Sequence, residues 1–200
     1  MMGHFNFVGY FFFAFITAIT PGPNNYMLLA QGKAFGFRSS LGMTAGVISG
    51  FFIILLISGY GIGALLISIP IFVLILKILA SIWLVSLGWA IRNLTVHGSS
   101  SSKYIGFIPA FFLQFVNPKA WIMGVNSAAV FLPHFSNMHL SVFLYACFFI
   151  AIGIPCALSW VLLGDKITVL LKSKEIQKIV GNILFLLMII TVISIWMKWE

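Results

Sequence analysis

The chain has 200 residues, of which 62% are hydrophobic and only 7% charged, with a formal net charge of +8. Soluble domains carry roughly a quarter charged residues, so an ordinary water-soluble fold is excluded, and the length of the apolar runs points to an all-α polytopic membrane protein. The basic residues are scattered among several connections, which fits an orientation signal and contact with membrane lipid and argues against a nucleic-acid surface.

In chain order, apolar runs lie at about 5–31, 41–68, 70–92, 105–133, 138–164 and 179–198, which predicts six transmembrane helices in a single domain, 1–200. The first run lacks the basic start of a secretory signal and has Pro21-Gly22-Pro23-Asn24 inside it where a cleavage site would need small residues, so it is expected to remain as a span. The second carries Gly42, Gly46 and Gly50 at four-residue intervals, a groove that admits another backbone. That backbone belongs either to the same chain or to a second copy in a homodimer. Gly59, Gly61 and Gly63 are expected to loosen the end of this span. The third run holds Lys77, placed to snorkel toward the outer interface. A flexible Ser-rich linker, 98–102, follows and separates half-repeats of about 1–97 and 103–200. In the fifth, Cys147 and Cys156 are too far apart along one helix to bridge and read as core residues. Residues 165–178 mix lysines with short apolar stretches and are expected to lie on the membrane surface.

The first and fourth runs share an interruption. Phe15-Ile16-Thr17-Ala18-Ile19-Thr20-Pro21-Gly22 matches Phe112-Leu113-Gln114-Phe115-Val116-Asn117-Pro118-Lys119, with Phe and Pro identical and most other positions similar. A bilayer tolerates broken helix only where protein or a watery cavity satisfies the freed backbone, and breaks at corresponding places in two halves mark a transporter's binding site. Three spans per half insert the second half upside down, giving an inverted 3+3 repeat with broken helices 1 and 4. Lys33 and Arg38, Arg92 and Lys103, and Lys166, Lys172, Lys174 and Lys178 fall in the odd-numbered connections. The positive-inside rule then places those connections in the cytoplasm and both termini outside.

Asn117-Pro118-Lys119 reads as a helix start near mid-membrane, because Asn favours the N-cap and Pro the first helical position. Thr20-Pro21-Gly22-Pro23-Asn24-Asn25 allows the same construction. The candidate substrate-binding set is therefore Pro21, Gly22, Pro23, Asn24, Asn25, Gln114, Asn117, Pro118 and Lys119. Helix N-termini favour a carboxylate, and carbonyls with amide oxygens favour an ammonium, so the inventory suits a zwitterion. Set against this, proline kinks are frequent in membrane helices and the asparagines can act as caps alone. Lys119 either binds the substrate's carboxylate or snorkels into an aqueous vestibule. Gln31 and Asn126 are expected at helix contacts. The acids Asp165, Glu175 and Glu200 all lie outside the span interiors, so any ion coupling must use Asp165 at a span end, a lysine, a histidine or the substrate itself. His4, His97, His134 and His139 fall at span ends without metal-site spacing. No metal, cofactor or catalytic residue is expected.

Thr20-Pro21-Gly22-Pro23-Asn24-Asn25, Gly36-Phe37-Arg38, the Gly46/Gly50 pair, Leu76-Lys77, Leu87-Gly88-Trp89 and Leu113-Gln114-Phe115-Val116-Asn117-Pro118-Lys119-Ala120-Trp121 together resemble the LysE/RhtB superfamily of amino-acid exporters. Within it, the chain is most similar to the branch that includes cysteine/O-acetylserine exporters. The resemblance implies a non-enzymatic carrier in the bacterial inner membrane, driven by the proton gradient. It marks Pro21, Gly22, Pro23, Asn24, Asn117, Pro118 and Lys119. The chain departs from many relatives at Ala80, Trp83 and Ala157, and the last change, with no intramembrane acid, disfavours a strongly cationic substrate. The expected function is export of neutral amino acids or small derivatives, cysteine/O-acetylserine-like or homoserine/threonine-like. The rival expectation is a non-transporting membrane protein that packs through its second span.

Overall fold

A computed structural model describes residues 6–97, 104–133, 135–170 and 173–197. All regular structure among them is helical: α1 (Phe7–Ile19), α2 (Pro23–Gly59), α3 (Ile62–Ile67), α4 (Pro70–His97), α5 (Phe107–Leu113), a 3-10 turn (Gln114–Val116), α6 (Pro118–Phe131), α7 (Met138–Leu170) and α8 (Lys174–Met197). The Ser-rich linker lies outside the described residues, as do Lys103, His4, His134, Lys172 and Glu200.

α2 is not one rod. Gly36 has φ 80° and ψ 170°, a backbone state that L side chains rarely adopt, and it divides the element into a first arm, 23–35, and a second, 37–59. Leu28 and Val47 share one apolar cluster. In a straight helix they would stand about 28 Å apart at 1.5 Å per residue, so the arms fold back on each other. Gly61, at φ 82°, makes a second reversal where α2 ends and α3 begins. The loosening expected around Gly59–Gly63 is thus a helix end followed by one short helix.

Helix pairs are legible from their contacts. α4 lies along α8, with Trp196 against Lys77 and Ser81, and Met188 and Phe185 against Gly88. Numbers rise in one as they fall in the other, so the pair is antiparallel. α1 runs parallel to α7: Tyr10 stacks on Tyr145, and farther along both helices the Trp160 indole N–H donates to the Ile19 carbonyl. α5 runs parallel to the second arm of α2. Tyr104 faces Gly42, Phe107 faces Gly46 and Phe111 faces Gly50.

This last contact decides the glycine groove. A Cβ at Gly46 would collide with the Phe107 carbonyl, and one at Gly50 would lie 2.5 Å from the Phe111 carbonyl. The groove is filled by α5 of the same chain, so the expectation of a homodimer through Gly42, Gly46 and Gly50 is corrected. Gly32 and Gly164 make an equivalent close approach between the first arm of α2 and α7, meeting the carbonyls of Val161 and Leu29. The stretch 165–178, expected as a surface connection, is also corrected. α7 continues through Asp165 to Leu170 and α8 starts at Lys174, leaving a short join.

The exterior is apolar. Phe7, Val8, Phe12, Ile82, Leu186 and Met197 are among many large apolar side chains at the surface, an arrangement that water does not support on this scale. Two helices, Pro23–Gly59 and Met138–Ile167, pass the length and hydropathy test for a membrane span, and only 28% of the most apolar stretch of the second is buried. Phe7–Ile19, Pro70–Ser86, Phe107–Val116 and Gly181–Ile193 are shorter apolar helices. The protein is a membrane protein whose outward faces are built for hydrocarbon.

Candidate functional site

Both predicted interruptions are real breaks. α1 stops at Ile19, the chain runs extended through Thr20, Pro21 and Gly22, and α2 restarts with Pro23 at its first turn. α5 tightens into the 3-10 turn, Asn117 is extended, and α6 restarts with Pro118. The sequence match aligned Pro21 with Pro118. In the structure the proline that opens the second half-helix is Pro23, and Pro21 sits exposed in a break two residues longer than its counterpart.

Breaking a helix orphans carbonyls at its C-terminal end, and here each one at the end of α1 is answered. The Thr20 hydroxyl donates to the Ile16 and Thr17 carbonyls at 2.7 and 3.0 Å. The Asn25 amide donates to Ala18 and Thr20, both at 2.8 Å, and Trp160 donates to Ile19 at 3.2 Å. The Lys119 ammonium donates to the Thr20 carbonyl at 2.9 Å and to the Thr20 hydroxyl and Pro21 carbonyl at 3.3 Å. A cation there also faces the negative end of the α1 dipole. Gly22 makes room for this side chain, since a Cβ would meet Lys119 Cδ and Nζ at 2.9 Å. Its φ of 178° is ordinary extended backbone, so space and not conformation calls for glycine.

The two breaks are tied together by amides. Asn24 Nδ2 donates to Gln114 Oε1 at 2.6 Å, and Asn24 Oδ1 accepts from Gln114 Nε2 at 3.1 Å and Asn117 Nδ2 at 3.0 Å. The Asn117 side-chain oxygen meanwhile accepts from the Lys119 backbone N–H at 3.1 Å, the helix cap expected from the sequence. Gln114 is fully buried and Asn117 3% exposed. Half-buried Asn24 thus supplies partners to two buried amides, as buried polar groups require.

Beside this junction lies a cavity with an empty volume of about 590 Å3, part of it open to the outside. Of the candidate residues, Gly22, Asn24, Asn25, Asn117 and Lys119 line it. Gln114 stands behind Asn24, Pro23 and Pro118 are buried helix starters, and Pro21 contributes its carbonyl to Lys119 without lining the cavity. The remaining wall was not legible in the sequence. Thr17 and Ala18 come from α1, Leu28 from the first arm of α2, Val47, Ile48 and Phe51 from its second arm. α6 adds Ala120 and Met123, and α7 adds Phe149, Ile150, Gly153 and Ala157. A Cβ at Gly153 would meet nothing within 4 Å, so this residue leaves free space where any other would fill it.

The cavity is sandwiched between two apolar clusters. On one side are Tyr10, Ala14, Tyr145 and Phe149, on the other Met27, Leu28, Met43 and Val161. Behind the first, the Tyr10 hydroxyl donates to the Tyr145 carbonyl at 2.9 Å, and the Tyr145 hydroxyl donates to the Gly124 carbonyl at 2.9 Å and pairs with Ser127. Behind the second, Gln31 bonds the backbone of Ile105, just ahead of α5, in both directions at 3.1 and 3.4 Å, where a contact with a helix was expected of it. Asn126, grouped with it, is instead exposed. Among the described residues no group of three metal-ligating side chains comes together. Lys77 lies 5.4 Å from the Trp196 ring centroid.

Comparison with known proteins adds a homology. Proteins named cysteine/O-acetylserine efflux protein are 32% identical to this chain over 120 residues in Salmonella typhimurium and Salmonella choleraesuis, and 35% identical over 120 residues in Escherichia coli K12. Each match covers 60% of this chain and 62% of the relative, so the chain matches about three fifths of the length of these relatives. No family model matches, and no solved structure matches. The resemblance to the exporter superfamily, and to its cysteine/O-acetylserine branch, is borne out by these relatives.

Proposed function

We propose that this protein is a secondary transporter that exports neutral amino acids or small derivatives across the bacterial inner membrane, with six spans arranged as an inverted repeat. The observation that carries the reading is the meeting of two broken helices, amide to amide, at a cavity lined by Ala18, Gly22 and Asn24 from one break and Asn117 and Lys119 from the other. A bilayer tolerates such breaks only where protein or a watery cavity satisfies the freed backbone, and breaks paired between two halves point to a transporter's site. Cysteine/O-acetylserine-like substrates are favoured by the relatives' names, and homoserine/threonine-like ones share the same zwitterionic core.

Helix pairing supports the repeat. α1 with the first arm of α2 forms span one, the second arm span two, α4 span three, α5 with α6 span four, α7 span five and α8 span six. Span one runs parallel to span five, span four runs parallel to span two, and spans three and six are antiparallel. An inverted repeat exchanges span one with four, two with five and three with six, and each pairing maps onto its counterpart. The basic connections put both termini outside the cytoplasm.

In this reading the substrate's carboxylate sits at the half-helix N-termini, where Gly22 leaves the first amides of α2 without a side-chain cap. Its ammonium sits at the carbonyls that end α1, and its side chain lies against Phe51, Met123 and Phe149. Among the described residues that line the cavity none is an acid that would balance a cationic side chain, so lysine-like substrates are disfavoured. The inward proton gradient supplies the driving force. Inside-out vesicles carrying the protein are expected to take up one class of labelled neutral amino acid saturably and in response to a pH gradient, with at least a tenfold loss in Asn117→Ala. Absence of uptake for every amino acid tested, with protein correctly inserted, contradicts the reading.

A further inference from the structure

Among the described residues that line the cavity, Lys119 is the one ionisable side chain. The wall facing it from α2 offers Gly22, Asn24 and Asn25, that from α6 Asn117, and that from α7 only apolar residues and Gly153. Asp165 belongs to the far end of α7, where its carboxylate lies 3.4 Å from where a Gly36 Cβ would stand. Among the described residues the Lys119 ammonium is therefore held without a carboxylate. Its partners are the Thr20 and Pro21 carbonyls and the Thr20 hydroxyl at the end of α1.

These oxygens belong to the two residues before Gly22, which lines the cavity, and carbonyls and hydroxyls are what an amino acid's ammonium binds. We propose that Lys119 is a tethered stand-in for the substrate's ammonium and thereby the group that couples export to protons, a step that rests on the exporter reading above. Two ammonium groups cannot share one set of carbonyls, because like charges a few ångströms apart repel each other. Substrate entering from the cytoplasm takes the carbonyls, and Lys119 gives up its proton to cytoplasmic water. Release outside reverses the exchange: the neutral amine takes a proton from external water and returns to Thr20 and Pro21. One neutral amino acid leaves and one proton enters per cycle, so charge and atoms balance. No further acid is needed, which accounts for a proton-driven carrier without an intramembrane carboxylate.

The test is substrate binding to the purified full-length protein in lipid nanodiscs, by calorimetry in buffers of different ionisation heat, with L-cysteine, O-acetylserine and L-threonine as probes. For wild type, one proton is expected to leave per amino acid bound, with Kd falling about tenfold per pH unit between about pH 5 and 7. Lys119→Gln should bind with a Kd independent of pH and release no proton. Lys119→Arg, which keeps the charge and donor groups, should bind weakly at every pH, and it guards against mistaking misfolding of the glutamine variant for an effect on coupling. Wild-type binding that is flat with pH and releases no proton overturns the proposal while leaving the transporter reading intact. So does a wild-type slope retained in Lys119→Gln. Failure of wild type to bind any of the probes overturns the exporter reading and this proposal with it.

Discussion

Asn24 holds more of the junction than any other side chain, because both of its amide atoms are engaged across the breaks, with Gln114 and with Asn117. Asn24→Ala strands Gln114 Oε1 and the Asn117 amide in a buried setting, at about 1–3 kcal/mol for each group left unpaired. Thermal unfolding in detergent should show a clearly lowered Tm, and transport should fall at least tenfold. An unchanged Tm would mean that water replaces Asn24 without cost. The sequence disclosed this layer well. Asparagine, glutamine and lysine inside apolar runs stand out because burying them demands partners. It discloses the roles less well: in sequence Lys119 fits two functions equally, and its carbonyl cage depends on how α6 lies against α1. The Trp160 bond to Ile19 also depends on tertiary placement, since an indole in an apolar run reads as packing.

At the scale of elements, the glycines divide into two kinds that spacing alone does not separate. Gly46 and Gly32 face backbone carbonyls of α5 and α7, which cannot move aside as a flexible side chain would. Gly46→Val and Gly32→Val should each destabilise the fold by about 1–3 kcal/mol through overpacking, read as lower Tm and reduced protein in the membrane. Normal stability in both would mean that the helices part easily at these contacts. Gly153 faces open space, and the same substitution there should leave Tm within error of wild type. The four-residue glycine spacing announced a close helix contact, but its partner was not legible, because a groove records the approach of a backbone without recording whose. Gly36 and Gly61 each take the positive φ that a reversal needs, but only Gly61 lies in a stretch whose glycines announce a loosened helix. The continuation of α7 past Asp165 was obscured by lysines, which resemble a surface segment in composition and are equally at home on a helix end that leaves the membrane.

For the whole molecule, class followed from composition, and the two breaks followed from prolines and asparagines in unusual places. The cavity between them did not, because Leu28, Val47, Phe51 and Phe149 differ in no local way from residues that only fill a core. Their shared position arises when α2 folds back at Gly36 and α7 packs across both arms. The account stands on that cavity being where substrate passes. It is tested most directly by saturable uptake of labelled neutral amino acid into inside-out vesicles with Gly153→Phe, against wild type and Val130→Phe, a control on the exposed outer face. Gly153→Phe should insert and fold like wild type, since no neighbour obstructs its Cβ, yet lose at least nine tenths of uptake while Val130→Phe retains it. Wild-type uptake by well-inserted Gly153→Phe would place the substrate path elsewhere and contradict the account.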